Sequence, residues 1–327
     1  MVQLSRRGLL YTAGLGAVGA LAACASGTPP VAAGSGDPAS GAGTAPARKS
    51  IDTAAYDAVV LAGPVADQAA IDASAWAKRV KAAGVIKRGG TENSPIFSLK
   101  DPVSGRTTGF DAGMGDLLAH YITGGKDVSK LQQLMQTTVD TRETMLQNNT
   151  VDIVVATYTI NAKRAEKVAF AGPYYSSGTS VLVKADNTTI KSYQDLKGQK
   201  IVTETNSSAL TAIKDHIPDA EVLTFTENDA CVAAVEDGRA VAYILDETIL
   251  LGNALKNPRL KVVGQPFTTD PYGIGISKDD PATKAFVNTF LQTIFDDGTW
   301  LKMWQATVGL YTESTPTPPK IGEVPGA

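Results

Sequence analysis

The chain has 327 residues, 43% of them hydrophobic and 19% charged, with a net charge of −3. That is an ordinary soluble composition, long enough for two compact units. The 30 Lys and Arg against 33 Asp and Glu leave no basic surplus for a phosphate backbone, which excludes nucleic acid as an expected partner, and two histidines and two cysteines leave little for a transition metal.

The first residues read as an address. SRRGLL (5–10) sets twin arginines before a short apolar stretch at 9–23, the pattern of a twin-arginine export signal. The stretch is too short and too rich in Gly and Ala for a membrane span. It ends in LAAC (21–24), which is similar to a bacterial lipobox, so residues 1–23 are expected to be removed and Cys24 to carry the lipid, the plainer reading being an uncleaved anchor with a chance cysteine. The mature protein then sits extracytoplasmically, anchored to the outer face of the cell membrane. GLGAVG (14–19) matches G-x-G-x-x-G formally, but no strand precedes it, and it is set aside. Residues 24–50, full of Gly, Ala, Ser and Pro, read as a flexible tether. Cys231 is the remaining thiol, and its apolar setting (ACVAAV) makes it a small core residue.

Residues 51–84 read as a helical extension, with Ala-rich ASAWAKRVKAAG closing on Gly84. From 85 to about 310 strands alternate with helices. VIK (85–87) precedes GFDAGMGDLLAHYI, whose apolar residues Met114, Leu117, Leu118, Tyr121 and Ile122 keep helical spacing behind a possible Asp111 cap. TRETMLQNN (helix), VDIVVAT (strand), NAKRAEKV (helical turn) and TSVLVK (strand) follow. KIVTE, SSALTAIKDHI, EVLTFT, DACVAAVEDG and AVAYIL continue the alternation, and TKAFVNTFLQTIF is the last amphipathic helix. This predicts an α/β architecture with mainly parallel sheets, divided between two lobes. The Pro-rich segment 313–327 reads as a disordered tail.

Ligands of open α/β sheets gather beyond the carboxyl ends of the strands. VDIVVA is followed by Thr157, Thr159 and Arg164, KIVTE by Thr205, Asn206, Ser207 and Ser208 at a helix start, and AVAYIL by Asp246. Hydroxyls, a guanidinium, helix N–H groups and one carboxylate together fit a zwitterion. Arg164 holds an α-carboxylate through two parallel hydrogen bonds, aided by the helix start near 207–208. Asp246 pairs with an α-ammonium, helped by the Thr157 carbonyl and the Thr159 hydroxyl. Plainer readings stand beside these. Arg164 would form a surface ion pair with Glu166, Asp246 would cap the following helix, and Ser207 and Ser208 would be mere caps.

These segments resemble the periplasmic polar-amino-acid-binding proteins, the solute-binding components of ABC importers. ATYTINAKRAEKVAFAGPYY, TGFDAGMGDLLAHY, KGQKIVTETNSSA and VAYILDETI carry the resemblance, which runs from about 85 to 310. It implies a type II periplasmic-binding-protein fold: two α/β lobes joined by a two-strand hinge near 174–180 and 268–274. Lobe 1 would comprise 85–177 and a return at 271–312, and lobe 2 would comprise 178–270. The resemblance places the carboxylate-binding arginine on Arg164, hydroxyl and carbonyl contacts on Thr159 and Thr157, helix-start contacts near Ser207 and Ser208, and the ammonium-binding acid on Asp246.

TTVDTRETMLQNNTVD resembles the glutamate/aspartate-binding branch, where an arginine reaches the distal carboxylate; here it falls on Arg142. The plainer reading pairs Arg142 with Asp140 or Glu143 on a solvated helix face. Acidic-ligand members often add a second basic residue after the first strand, whereas GGTENSP (89–95) offers none and contains Glu92. Other relatives pair a cysteine near Cys231 with one in the strand that here reads KIVTE. The resemblance therefore implies capture of an amino acid, foremost glutamate or aspartate, by lobe closure, with delivery to an ABC permease and ATPase. Glutamine, asparagine or another polar amino acid is the alternative ligand. A monomer without cofactor or metal is expected. A sensor role would use the same pocket. A hydro-lyase on this fold would need a general acid or base, and Glu204 and Glu247 read as surface carboxylates.

Overall fold

A computed structural model describes residues 50–312 and 316–327. The expected export signal, Cys24 and all but the last residue of the 24–50 tether lie outside them. Among the described residues no helix is long and apolar enough to cross a membrane.

Three helices open the described chain: α1 (Thr53–Leu61), α2 (Gln68–Asp72) and α3 (Ala75–Ala83). Asp52, Asp67 and Ser74 start them by accepting hydrogen bonds from otherwise unpaired first-turn N–H groups. The third stops on Gly84, whose φ of 69° is a left-handed turn that a Cβ would strain. Tyr56, Val60, Trp76, Ala77 and Val80 from this extension join the first sheet's core, and the Tyr56 hydroxyl donates to Asp116 at 2.8 Å.

The strands and helices that follow are β1 (Ile86–Gly90), the small antiparallel β2 (Asn93–Ser94), β3 (Ser98–Lys100) and β4 (Thr107–Thr108), α4 (Phe110–Thr123), β5 (Gln132–Gln136), α5 (Arg142–Gln147), β6 (Ile153–Val154), α6 (Ala162–Ala165) and β7 (Ala169–Ser177). Next come β8 (Thr179–Lys184), β9 (Lys200–Glu204), α7 (Ser208–His216), β10 (Glu221–Phe225), α8 (Asn228–Glu236), β11 (Ala242–Asp246), α9 (Glu247–Lys256) and β12 (Leu260–Val263). The chain returns through β13 (Asp270–Ile276), α10 (Pro281–Asp296) and α11 (Thr299–Ala306).

Two five-stranded sheets result, ordered β5-β1-β6-β13-β7 and β10-β9-β11-β8-β12. In the first, β1 runs parallel to β5 and β6 while β13 is antiparallel to its neighbours. In the second, β9 runs parallel to β10 and β11 while β8 is antiparallel to β11 and β12. This is the expected pair of α/β lobes, but the sheets are mixed rather than mainly parallel, because β13 and β8, next to the crossings, run against their neighbours. Each sheet has its own core. One gathers Phe110, Leu118, Phe290 and Trp300, the other Val181, Ile201, Ala234 and Ile244. Fully burying one large apolar side chain contributes about 1.5–3 kcal/mol, so each lobe has its own source of rigidity.

The chain crosses between the sheets twice, at Gly178 and between Val263 and Asp270. The crossings are bonded to each other: Thr179 N–H donates to Thr268 Oγ1 at 2.8 Å, Phe267 N–H to Thr179 O at 2.9 Å, and the Thr179 hydroxyl to Asp270 at 3.1 Å. A Cβ on Gly178 would sit 2.3 Å from the Thr268 carbonyl oxygen, so glycine lets the two crossings touch. Residues 316–327, read from composition as disordered, lie against the first sheet's lobe. Gly322 N–H donates to Gly172 O at 2.9 Å, and Val324 and Ala327 pack beside Ile160 and Val168.

Candidate functional site

The strand β6 ends where an unusual backbone begins. Thr157 has φ of 44°, a left-handed conformation that a β-branched residue resists. It is held there because its N–H donates to Asp111 Oδ2 at 2.7 Å, while Asp111 Oδ1 accepts from the Tyr174 hydroxyl at 2.6 Å. Asp111 was expected to cap α4, but Gly109 is the cap. Asp111 instead lies within the first turn, buried, and uses its carboxylate to fix the strand end. Burial pushes its pKa up to about 6, against the lowering pull of those two hydrogen bonds.

Arg164 is positioned by the short helix α6, which starts on Asn161 through an Arg164 N–H bond to Asn161 Oδ1 at 2.9 Å. Its guanidinium folds back to donate to Thr159 O at 2.7 Å and to Asn206 O at 3.4 Å, and it is 5% exposed. The surface pair with Glu166 does not form. Arg142, on α5, is also 5% exposed. It donates to Ala156 O at 3.2 Å and stands 3.9 Å from the centre of the Tyr158 ring, with Arg164 5.3 Å from the same ring. The alternative partners of Arg142 are engaged elsewhere: Glu143 pairs with Lys167 at 2.7 Å, and Asp140 accepts from the Asn206 amide. Among the described residues neither arginine forms an ion pair with a carboxylate, and Arg142 Nε is buried without a partner. Burial lowers the pKa of both, Arg164 to about 9 with help from the neighbouring Arg142 charge.

The second sheet supplies the opposite wall. Beyond β9, Asn206 is also left-handed at φ 58°, and Ser207 caps α7 by accepting from Leu210 N–H at 3.2 Å. The Ser208 hydroxyl lies 3.4 Å from the Thr159 hydroxyl across the cleft. Asp246 caps α9, as the plainer reading had it: its Oδ1 accepts from Thr248 N–H at 3.0 Å, Thr248 Oγ1 at 2.8 Å and Ser177 Oγ at 2.8 Å. Its Oδ2 is buried with no partner at hydrogen-bond geometry, although the Tyr272 hydroxyl, 2.9 Å from Thr248 Oγ1, lies close enough to pull on the carboxylate. Burial pushes the Asp246 pKa up to about 7, against the pull of the surrounding hydroxyls.

Glu204 requires a correction. It is no surface carboxylate: it is 8% exposed at the end of β9 and accepts from the Tyr243 hydroxyl at 3.2 Å. Burial pushes its pKa up to about 7, with the Tyr243 bond and the Arg142 charge pulling it back. The rule that found Ser207 and Asp246, reading the residues at each strand's carboxyl end, also reaches Glu204.

A cavity of about 70 Å³, partly open to solvent, lies between the sheets and is lined by Arg142, Thr157, Glu204, Ser94, Asn228 and Asn253, among others. Of the residues expected at the site, Arg142 and Thr157 line it. Thr159, Arg164, Ser207, Ser208 and Asp246 stand outside it, where Thr159–Ser208 and Arg164–Asn206 contacts join the two walls. The walls are also joined by Asp140–Asn206 and by Lys256 to the Asn93 carbonyl. The lobes are therefore closed. At the cavity the Arg142 guanidinium on one wall faces the Glu204 carboxyl on the other, and an unpaired buried charge or polar atom is costly. Such a surface calls for a small ligand carrying charges of both signs. Among the described residues no cluster of His, Cys, Asp and Glu is arranged to hold a metal ion.

Known proteins match this frame. Over 211 residues the chain is 35% identical to the ABC transporter glutamine-binding protein GlnH of Bacillus subtilis, covering 64% of this chain and 76% of that one. It is also 35% identical over 175 residues to the glutamate-binding protein GluB of Corynebacterium efficiens, covering 51% and 60%. Among solved structures, the solute receptor for L-cysteine of Neisseria gonorrhoeae superposes with a TM-score of 0.66 at 26% identity, covering 72% of this chain and 95% of that one. The profile of the bacterial extracellular solute-binding proteins, family 3, matches residues 86–307, and the chain, with its two closed α/β lobes, belongs to that family and has the type II periplasmic-binding fold.

Proposed function

We propose that the chain is an extracytoplasmic solute-binding lipoprotein, tethered through Cys24, that captures an L-amino acid by lobe closure and hands it to an ABC importer, with glutamate or aspartate as the leading ligand. The observation that carries this reading is the pair of buried guanidiniums, Arg142 and Arg164, that no carboxylate of the described chain neutralises. A dicarboxylic amino acid brings one anion for each. Its ammonium then meets the Asp246 carboxylate at Oδ2. In this reading Arg164, Thr159, Ser207 and Ser208 hold the α-carboxylate, the Thr157 carbonyl assists the ammonium, and Arg142 takes the distal end. In this reading the Thr159–Ser208 and Arg164–Asn206 contacts give way to the α-carboxylate when the lobes part. Each charge-assisted hydrogen bond contributes roughly 1.5–3 kcal/mol, and micromolar affinity corresponds to about 8 kcal/mol, so a handful suffices after ordering costs.

Glutamine is the second reading, and Glu204 favours it. A carboxylate facing the same cavity as Arg142 suits an amide, which donates to one and accepts from the other. The relatives divide in the same way, one named for glutamine and one for glutamate.

The test is a thermal-shift screen of refolded, ligand-stripped protein against the common L-amino acids. Ligand at a hundred times its Kd adds about 2.7 kcal/mol, a rise of about 5 °C or more for lobes of this size. Glutamate or aspartate should lead, and Arg164→Ala should abolish every shift. No shift with any amino acid, or an unchanged shift in Arg164→Ala, would sink the reading.

A further inference from the structure

The cavity holds a feature that amino-acid capture in general does not require: a buried carboxyl, Glu204, facing a buried guanidinium, Arg142, without an ion pair between them. They come from opposite walls, β9 and α5, and so meet at the cavity when the lobes are closed. Glu204 is held by the Tyr243 hydroxyl from β11, and Tyr243 is also bonded to Asn228 at 3.3 Å. The other ionisable groups around it are Glu227 at the start of α8, Cys231 on α8 and Asp140 ahead of α5. Arg142 is the cation among them. Glu227 and Asp140 are like charges that favour a proton on Glu204.

Resting on the function proposed above, we infer that Glu204 selects the ligand's distal group by its own protonation: with a proton it donates to the γ-carboxylate of glutamate, and without one it accepts from the amide of glutamine. In both complexes Arg142 donates to the remaining ligand oxygen. With Glu204 ionised, glutamate would place two carboxylates against each other, a repulsion that protonating one of them removes. Glutamate binding therefore takes up a proton that glutamine binding does not. Burial already pushes the Glu204 pKa up to about 7 in the closed protein, so the exchange falls in the neutral range.

The sign follows from linkage. Glu204 has its pKa raised in the glutamate complex, so glutamate affinity is fully present below the pKa of the open protein. It is lost as the pH rises toward the pKa of the complex. The limiting slope is about tenfold per pH unit. Asp246 also titrates, but it meets the ammonium common to both ligands and cancels in their ratio.

The experiment measures glutamate and glutamine affinities of the mature chain by titration calorimetry from pH 5.5 to 8.5. The ratio of glutamate to glutamine affinity should fall at least tenfold across that range in the wild type and stay constant in Glu204→Gln, whose amide cannot titrate. Wild-type calorimetry in buffers of different ionisation enthalpy should show greater proton uptake with glutamate than with glutamine at pH 7, a readout that needs no variant to fold. A wild-type ratio independent of pH, equal proton uptake, or an unchanged slope in Glu204→Gln would overturn the selector while leaving amino-acid capture intact. Failure of the wild type to bind either ligand would overturn the selector together with the glutamate and glutamine readings, and failure to bind any L-amino acid would overturn capture itself.

Discussion

Replacing Arg142 with methionine should separate binding from stability. In the empty protein three contributions compete. A buried guanidinium without a counter-ion carries a desolvation cost of several kcal/mol. Against it stand the stacking on Tyr158 at 3.9 Å, worth about 2 kcal/mol when desolvated, and the bond to Ala156 O, worth roughly 1.5–3 kcal/mol as a charged hydrogen bond. These nearly cancel, and methionine fills much of the volume, so the empty variant should melt within about 4 °C of wild type. With glutamate bound the balance differs. Truncation leaves the distal carboxylate buried without a counter-charge, which costs about 3–5 kcal/mol, a loss of roughly 200- to 5000-fold in affinity. Differential scanning calorimetry without ligand and isothermal titration with glutamate check the two halves. A variant that melts far lower when empty yet binds glutamate with wild-type affinity would show that Arg142 is a structural residue, and the distal-anion assignment would fall.

Asp246→Asn should weaken every amino acid alike, because the ammonium is common to all. In the wild type the Asp246 pKa is pushed up to about 7 by burial, and an ammonium beside it lowers that value, so binding releases a proton below neutrality. Affinity is then full above about pH 7 and falls as the pH drops, by about tenfold per unit at most. Calorimetry at pH 5.5 and 7.5 should find this fall in the wild type with alanine, which has no distal group for Glu204, and find it absent in the variant. Gly178→Ala should strain the hinge, since its Cβ would meet the Thr268 carbonyl oxygen at 2.3 Å and Pro266 Cβ at 2.7 Å. The cost of about 1–3 kcal/mol should appear as lower thermal stability and a wider ligand-free particle in small-angle scattering; unchanged values of both would show that the crossings separate freely.

The sequence reveals elements more readily than burial. Alternating apolar runs placed both sheets, and reading outward from strand ends reached Thr157, Arg164, Ser207 and Asp246, because chain direction puts every parallel strand's carboxyl end on one side of its sheet. Whether a charged residue at such an end is buried depends on what packs over it, and that is set by distant segments. Arg142 lies beside Asp140 and Glu143 in the chain, which left a solvated ion pair open beside the distal-carboxylate reading, yet Lys167 takes Glu143 and Asn206 from the other wall takes Asp140. Glu204 and Thr205 are neighbours at one strand end, and period-two alternation points one of them inward without saying which; Tyr243, on β11, marks Glu204 as the inward one. Asp111 looked like a cap because it lies in the first turn of α4, but its partners Thr157 and Tyr174 lie 46 and 63 residues further on. The site's chemistry thus depends on pairings between walls. A substitution at Lys167 or Tyr243, neither of which lines the cavity, should alter ligand preference by freeing Glu143 toward Arg142 or by releasing Glu204. The same substitution outside these pairings, at Lys130 for instance, whose partner Asp127 is three residues away on the surface, should leave it unchanged.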